Sequence, residues 1–140
     1  MKKNIDYSEI PDFDMGSDLD PEVETFWVII DHPKPEKRRK ICIQAPNPYE
    51  VDSILEKATP PKIASQGNVA PKPSLARTII EFLKVCATNP KFDDEQAKKL
   101  IKNRPTMRLQ SLLEKMKDCL GGLDDDDFSE ASIEADVENL

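Results

Sequence analysis

Twelve prolines are spread along the whole of this chain against four glycines, and no other feature limits the fold as strongly. Proline fixes φ, withholds a backbone donor and clashes with the preceding helical turn, so a chain punctuated this way is neither one long helix nor one continuous sheet. Short elements joined by stiff connections are the expectation. At 140 residues they share a single hydrophobic core. That core is small, because 38% of the residues are hydrophobic and 34% charged, respectively below and above the usual globular balance.

The charge is segregated. Residues 1–24 hold eight acids and two lysines, residues 124–140 hold eight acids and no base, and the segment between them carries a net +7. Binding to nucleic acid through an overall field needs clustered Lys and Arg free of nearby carboxylates, so acidic ends around a mildly basic centre argue against it. Cys42, Cys86 and Cys119 lack metal-ligand spacing, follow nothing that resembles a signal peptide, and read as reduced thiols in a cytosolic protein. No apolar run approaches the roughly 18 residues that a membrane-spanning helix needs.

Residues 1–24 scatter Ile5, Tyr7, Ile10, Phe13, Met15 and Leu19 among Asp, Glu, Ser and Pro without a period of 2 or 3.6, which predicts an extended acidic arm. From Thr25 the texture changes. Residues 25–31 are rich in β-branched and aromatic side chains, and residues 38–45 alternate, with Ile41, Ile43 and Ala45 on one face. The proline-rich connection 32–37 between them predicts a β-hairpin.

Asn47-Pro48-Tyr49-Glu50 opens a helix with a cap, a proline at the first helical position and a glutamate three residues after the cap; it is expected to run to about Lys57. Residues 58–73 contain four prolines and no periodicity, and read as a flexible linker or a functional loop. Ser74 caps a strongly apolar helix carrying Leu75, Ile79, Ile80, Phe82, Leu83, Val85 and Cys86, which Asn89-Pro90 ends. Asp93 or Asp94 caps a short helix stopped by Arg104-Pro105. Thr106 is expected to cap the last one, with Leu109, Leu112, Leu113, Met116 and Leu120 on one face and Gly121-Gly122 as its stop. The fold class is α+β and helix-dominated: an N-terminal β-hairpin packed on three to four short helices over residues 25–122, between an acidic arm at 1–24 and an acidic tail at 123–140. The tail could fold as a helix on a partner, with Asp127 as cap and Ile133 and Val137 on one face. The core is expected to contain Val28, Ile30, Ile41, Ile43, Ile54, Leu55, Ile79, Leu83, Leu109, Leu112 and Met116.

Catalytic constellations are missing. The only imidazole, His32, sits in the hairpin turn, so no nucleophile has a histidine base beside it in sequence. Gly121-Gly122 follows a helix instead of preceding one, which disfavours a phosphate loop. The run Asp12–Asp20 alternates like a calcium loop but has no glycine at its sixth position and Val23 at its twelfth. No enzyme activity, metal or cofactor is expected, and no nucleic-acid or membrane partner. The basic patch Lys37, Arg38, Arg39 and Lys40 has two readings, a meeting point for acidic surfaces or a guard on an edge strand. Phe26 to Ile30 is apolar on both faces, and with the broad stripe of the helix after Ser74 it offers more apolar surface than a small sheet and four short helices can hide. Phe26, Trp27, Ile79, Phe82 and Leu83 are therefore the expected partner-binding residues on the body, with Phe128, Ile133 and Val137 on the tail.

The stretch Arg77-Thr-Ile-Ile-Glu-Phe-Leu-Lys-Val-Cys-Ala-Thr-Asn-Pro-Lys-Phe-Asp-Asp-Glu-Gln-Ala-Lys-Lys-Leu100, with Met107-Arg-Leu-Gln-Ser-Leu-Leu-Glu-Lys-Met-Lys-Asp-Cys-Leu-Gly121, resembles the helical part of tail assembly chaperones of tailed bacteriophages. The resemblance covers about residues 37–122 and extends to the charged strand with its capped helix and to the acidic C-terminal tail. It implies non-enzymatic binding of the tape measure protein, in the cytoplasm of an infected bacterium, before the tail tube polymerises. Two other classes remain open: a structural neck or tail component of a phage-like particle, with possible homo-oligomers, and an acidic inhibitor that mimics nucleic acid.

Overall fold

The computed structural model describes residues 4–61 and 71–129. Strands β1 (Thr25–Ile30) and β2 (Arg39–Gln44) form the expected antiparallel hairpin, with Phe26 opposite Ile43 and Val28 opposite Ile41. A 3-10 turn at Pro35–Lys37 makes the connection. Val28, Ile30, Ile41 and Ile43 are buried on the inner face, so the pleat itself sends Trp27 and Ile29 outward.

Helix α1 (Pro48–Ala58) starts on the reciprocal pair read from the sequence: the Glu50 N–H donates to Asn47 Oδ1 at 2.9 Å and the Asn47 N–H to Glu50 Oε1 at 3.1 Å. Helix α2 (Leu75–Cys86) begins at Ser74, whose Oγ accepts the Arg77 N–H. It then ends three residues before the Asn89-Pro90 stop. Residues Ala87–Asn89 leave as a third strand, β3, antiparallel to the free edge of β2. Pairing with β2 satisfies the backbone that another helical turn would have used, and Thr88 Oγ1 adds a bond to the Cys42 carbonyl at 3.3 Å.

Helix α3 (Asp94–Lys102) carries a second reciprocal cap, Asp93 with Gln96. Thr106 does not cap the last helix. A 3-10 turn at Thr106–Leu109 precedes α4 (Gln110–Cys119), which has no side-chain cap. The Arg108 carbonyl is taken by the Asp31 N–H at 3.0 Å, and that bond ties this turn to the edge of β1.

Helix α2 is the hub, in contact with α1, α3, α4, β2 and β3. Phe82, Leu83, Ile54, Leu112 and Met116 are completely enclosed around it. Each such side chain contributes about 1.5–3 kcal/mol relative to an exposed position. Of the expected core only Leu55 stays half-buried, packed against the cluster.

The body does not stop at residue 122. Gly121 (φ 102°) and Gly122 (φ 76°) lie in the left-handed region, and the N–H groups of Gly122 and Leu123 both donate to the Lys117 carbonyl, at 2.9 and 3.1 Å. The chain reverses there. A 3-10 turn at Asp125–Asp127, closed by reciprocal bonds between Asp124 and Asp127, delivers Phe128 into the core at 4% exposure. The Ser129 N–H bonds to the Pro73 carbonyl at 2.9 Å and Lys72 Nζ to the Asp126 carbonyl at 2.7 Å. The boundary expected at 122 thus moves to at least 129. The interior of the proline-rich segment (residues 62–70) and the expected tail helix beyond 129, with Ile133 and Val137, lie outside the described residues.

Candidate functional site

The residues expected to bind a partner separate into three groups. Ile79, Phe82 and Leu83 are buried at 2%, 0% and 0% exposure, which corrects their assignment to a docking surface. The broad stripe of α2 is broad because helices and strands surround it, and it leaves no free edge. Phe128 is corrected in the same way, since it packs into the chain's own core. Phe26 is half-buried on the inner face, with Lys115 Nζ 5.7 Å from its ring centroid.

Trp27 alone of the aromatic candidates on the body presents surface, at 48% exposure. Two residues join it that were not singled out: Ile29, 49% exposed on the same face of β1, and Met107, in the 3-10 turn before α4. Ile29 was legible, because alternation places it beside Trp27 once Val28 and Ile30 face inward. Met107 was not. Its position follows from the docking of the 3-10 turn against β1.

The basic patch borders this apolar surface. Lys40 lies opposite Ile29 in the register and holds its Nζ 4.4 Å from the Trp27 ring centroid. Such an exposed cation–π contact contributes about 0.5–1 kcal/mol. Arg38 Nε reaches Asp31 Oδ1 at 3.0 Å, and Arg108 Nη1 reaches Asp31 Oδ2 at 3.2 Å. The His32 N–H, and then the Arg108 and Arg38 guanidinium groups, hold the Asp31 carboxyl below the ordinary carboxylate value. Among the described residues Lys37, Arg39 and Lys40 make no ion pair. Arg39 Nη1 donates instead to the Glu36 and Arg38 carbonyls, at 3.1 and 2.8 Å.

Two shallow depressions flank Ile29. One, of about 440 Å³, is lined by Ile29, Arg38, Arg39 and Lys40; the other, of about 300 Å³, lies between Ile29, Arg38 and Asp31 on the hairpin and Met107, Gln110 and Ser111. The edge of β1 is closed at this end, because the Ile29 N–H donates to Ser111 Oγ at 3.0 Å and the Asp31 N–H to the Arg108 carbonyl. A partner here meets side chains on a face, not a row of open backbone groups.

The chemistry elsewhere is quiet. His32 Nδ1 accepts the Lys34 N–H at 3.0 Å and so shapes the turn. Burial, with the Glu50 carboxylate and Cys119 adding to it, pushes the Cys86 thiol up to about 12, which keeps it protonated and unreactive. Burial and then Asp118 push Cys119 up as well. Among the described residues no group of three or more His, Cys, Asp and Glu is placed to hold a metal ion, and no helix is long and apolar enough to cross a membrane. No family model matches this chain, nor does any curated protein or solved structure.

Proposed function

We propose that the chain is a non-enzymatic protein-binding protein that acts as a tail assembly chaperone, holding the tape measure protein in the host cytoplasm during assembly. The observation that carries the binding role is the outer face of the hairpin. A solitary tryptophan and an isoleucine are half-exposed on a rigid strand, with shallow depressions beside Ile29, and around them stand Lys37, Arg39 and Lys40, which make no ion pair among the described residues. Aromatic anchors on rigid elements, ringed by charge, are what protein interfaces use for affinity and encounter. The assignment to the chaperone class rests on the resemblance over about residues 37–122.

Co-expression with the tape measure protein of a tailed phage tests this reading. Trp27→Ser and Ile29→Ser are expected to abolish co-purification while each leaves the domain folded with a loss of about 1 kcal/mol or less, because neither side chain belongs to the core. Capture that survives both substitutions would remove this face from the function. A structural neck or tail component is favoured by one separate observation, the arm of residues 4–24, whose large apolar side chains are exposed and could order against neighbouring subunits.

A further inference from the structure

The arm is an unusual acidic segment. Ile5, Tyr7, Ile10, Phe13, Met15, Leu19 and Val23 are all more than half exposed, and they recur every two to four residues among eight acids. A segment that served only to solvate or repel would carry few such side chains, since exposing them costs solubility and gains nothing. The arm is also locally shaped. Asp6 accepts from Ser8, and Asp14 from the Gly16 N–H at 3.0 Å and Ser17 Oγ at 2.8 Å, so parts of it are set in turns before any partner arrives. Among the described residues its one backbone bond to the body is at its root, from the Ala45 N–H to the Glu24 carbonyl.

The outer face of the hairpin has the complementary chemistry: half-exposed Trp27 and Ile29, two sockets, and five Lys or Arg with one Glu over residues 34–40. We propose that this face binds the acidic arm of a second copy of the chain, so that two copies pair by exchanging arms. Tyr7, Ile10 and Phe13 supply the apolar contacts to Trp27 and the sockets around Ile29, and the arm carboxylates meet Lys37, Arg39 and Lys40. Exchange between copies is favoured over folding back by the arm's own conformation, since Tyr7, Ile10 and Phe13 all stay more than half exposed in the chain that carries them. The arm is rooted at Thr25, whereas the basic cluster lies at the turn end, six residues or about 20 Å away. A two-fold axis across the face brings each arm root beside the other copy's hairpin tip and repeats every contact twice. The inference rests on the reading of this face as a docking surface and names an occupant for it, so that arm exchange competes with capture of the tape measure protein.

Sedimentation velocity on the full chain tests it, together with emission from Trp27, the only tryptophan. The wild type is expected to be a dimer that weakens with salt, with Trp27 emission shifted to the blue. An arm variant (Tyr7→Ser, Ile10→Ser, Phe13→Ser) and a face variant (Ile29→Ser, Lys40→Glu) should each dimerise at least about thirtyfold more weakly. Mixed together, they should recover a heterodimer, because one intact arm then meets one intact face. A wild type that stays monomeric, with or without an arm-dependent Trp27 shift, overturns arm exchange, and so does a dimer that survives the arm variant. The two readings fail separately. If the arm variant still captures the tape measure protein and the face variant does not, the docking face stands whatever the oligomeric state; if the face variant captures it too, the docking face falls.

Discussion

Two acidic segments flank the helical body and meet it differently. In the arm Phe13 is 63% exposed; in the segment after α4 Phe128 is 4% exposed and belongs to the core. Both sit among aspartates, so composition does not separate them. The approach does. The C-terminal segment begins at two glycines whose left-handed backbone turns the chain back over α4, and three polar anchors then hold it: Lys117 on Asp125, Lys72 on the Asp126 carbonyl, and the Ser129 N–H on the Pro73 carbonyl. The arm has turns of its own at residues 6–9 and 14–18, but its apolar side chains stay exposed and, among the described residues, one backbone bond holds it to the body, at its root. An acidic segment docks on its own body when geometry points its apolar residue inward and the carboxylates can remain in water, as Asp125 does while pairing with Lys117.

The contrast can be broken most directly by the two phenylalanines. Phe128→Ala is expected to cost about 3–5 kcal/mol in urea unfolding, as for an enclosed phenylalanine, whereas Phe13→Ala should stay within about 0.5 kcal/mol. Equal effects would mean that the arm is packed or that the C-terminal segment is not. Truncation after Gly122 should therefore destabilise the body, although the sequence suggested a separable tail there.

Gly122→Ala comes next. Its φ of 76° penalises any Cβ, so the loss should be about 1–2 kcal/mol. Gly16→Ala in the arm, where the backbone φ is negative, should change nothing measurable.

Asp124→Ala removes the acceptor for the Asp126 N–H and should cost about 0.5–1 kcal/mol, against no change in global stability for Asp14→Ala, whose bonds hold only an arm turn. The smallest effect is on acid stability. Asp31 and Asp14 are both held below their ordinary value of 3.8, Asp31 by the His32 N–H and then Arg108 and Arg38, Asp14 by the Gly16 N–H and then Ser17. A depressed carboxyl adds stability that is present above 3.8 and lost as pH falls through the folded value. Asp31→Asn should accordingly flatten the acid limb of a melting-temperature profile below about pH 4, and Asp14→Asn should leave it unaltered because the arm turn is not part of the cooperative unit.

The local signals were readable because they act over a few residues. Asn47 with Glu50, Ser74, and Asp93, one of the two caps the sequence offered for its helix, cap the helices as expected, and alternation in residues 25–30 and 39–44 makes the hairpin. Thr106 is not the cap because residues 106–109 first form a 3-10 turn, whose Arg108 carbonyl takes the N–H of Asp31, 77 positions away in the chain, so that α4 starts only at Gln110. The candidate site was half-visible: Trp27 and the basic patch stood out, while α2 contributed three anchors that turned out to be core.

What the sequence by itself determined is where elements begin, what period they follow and which way each is charged, since caps, prolines and left-handed glycines work through bonds within about four residues. Only the tertiary structure decided that Ala87–Asn89 would become a strand, that Phe82 would be enclosed while Trp27 and Ile29 stayed outside, and that one acidic segment would dock and the other remain free. Those outcomes depend on which face finds a partner, through contacts such as Ile29 with Ser111 across 82 residues, and an apolar stripe looks the same in sequence whether or not that partner arrives.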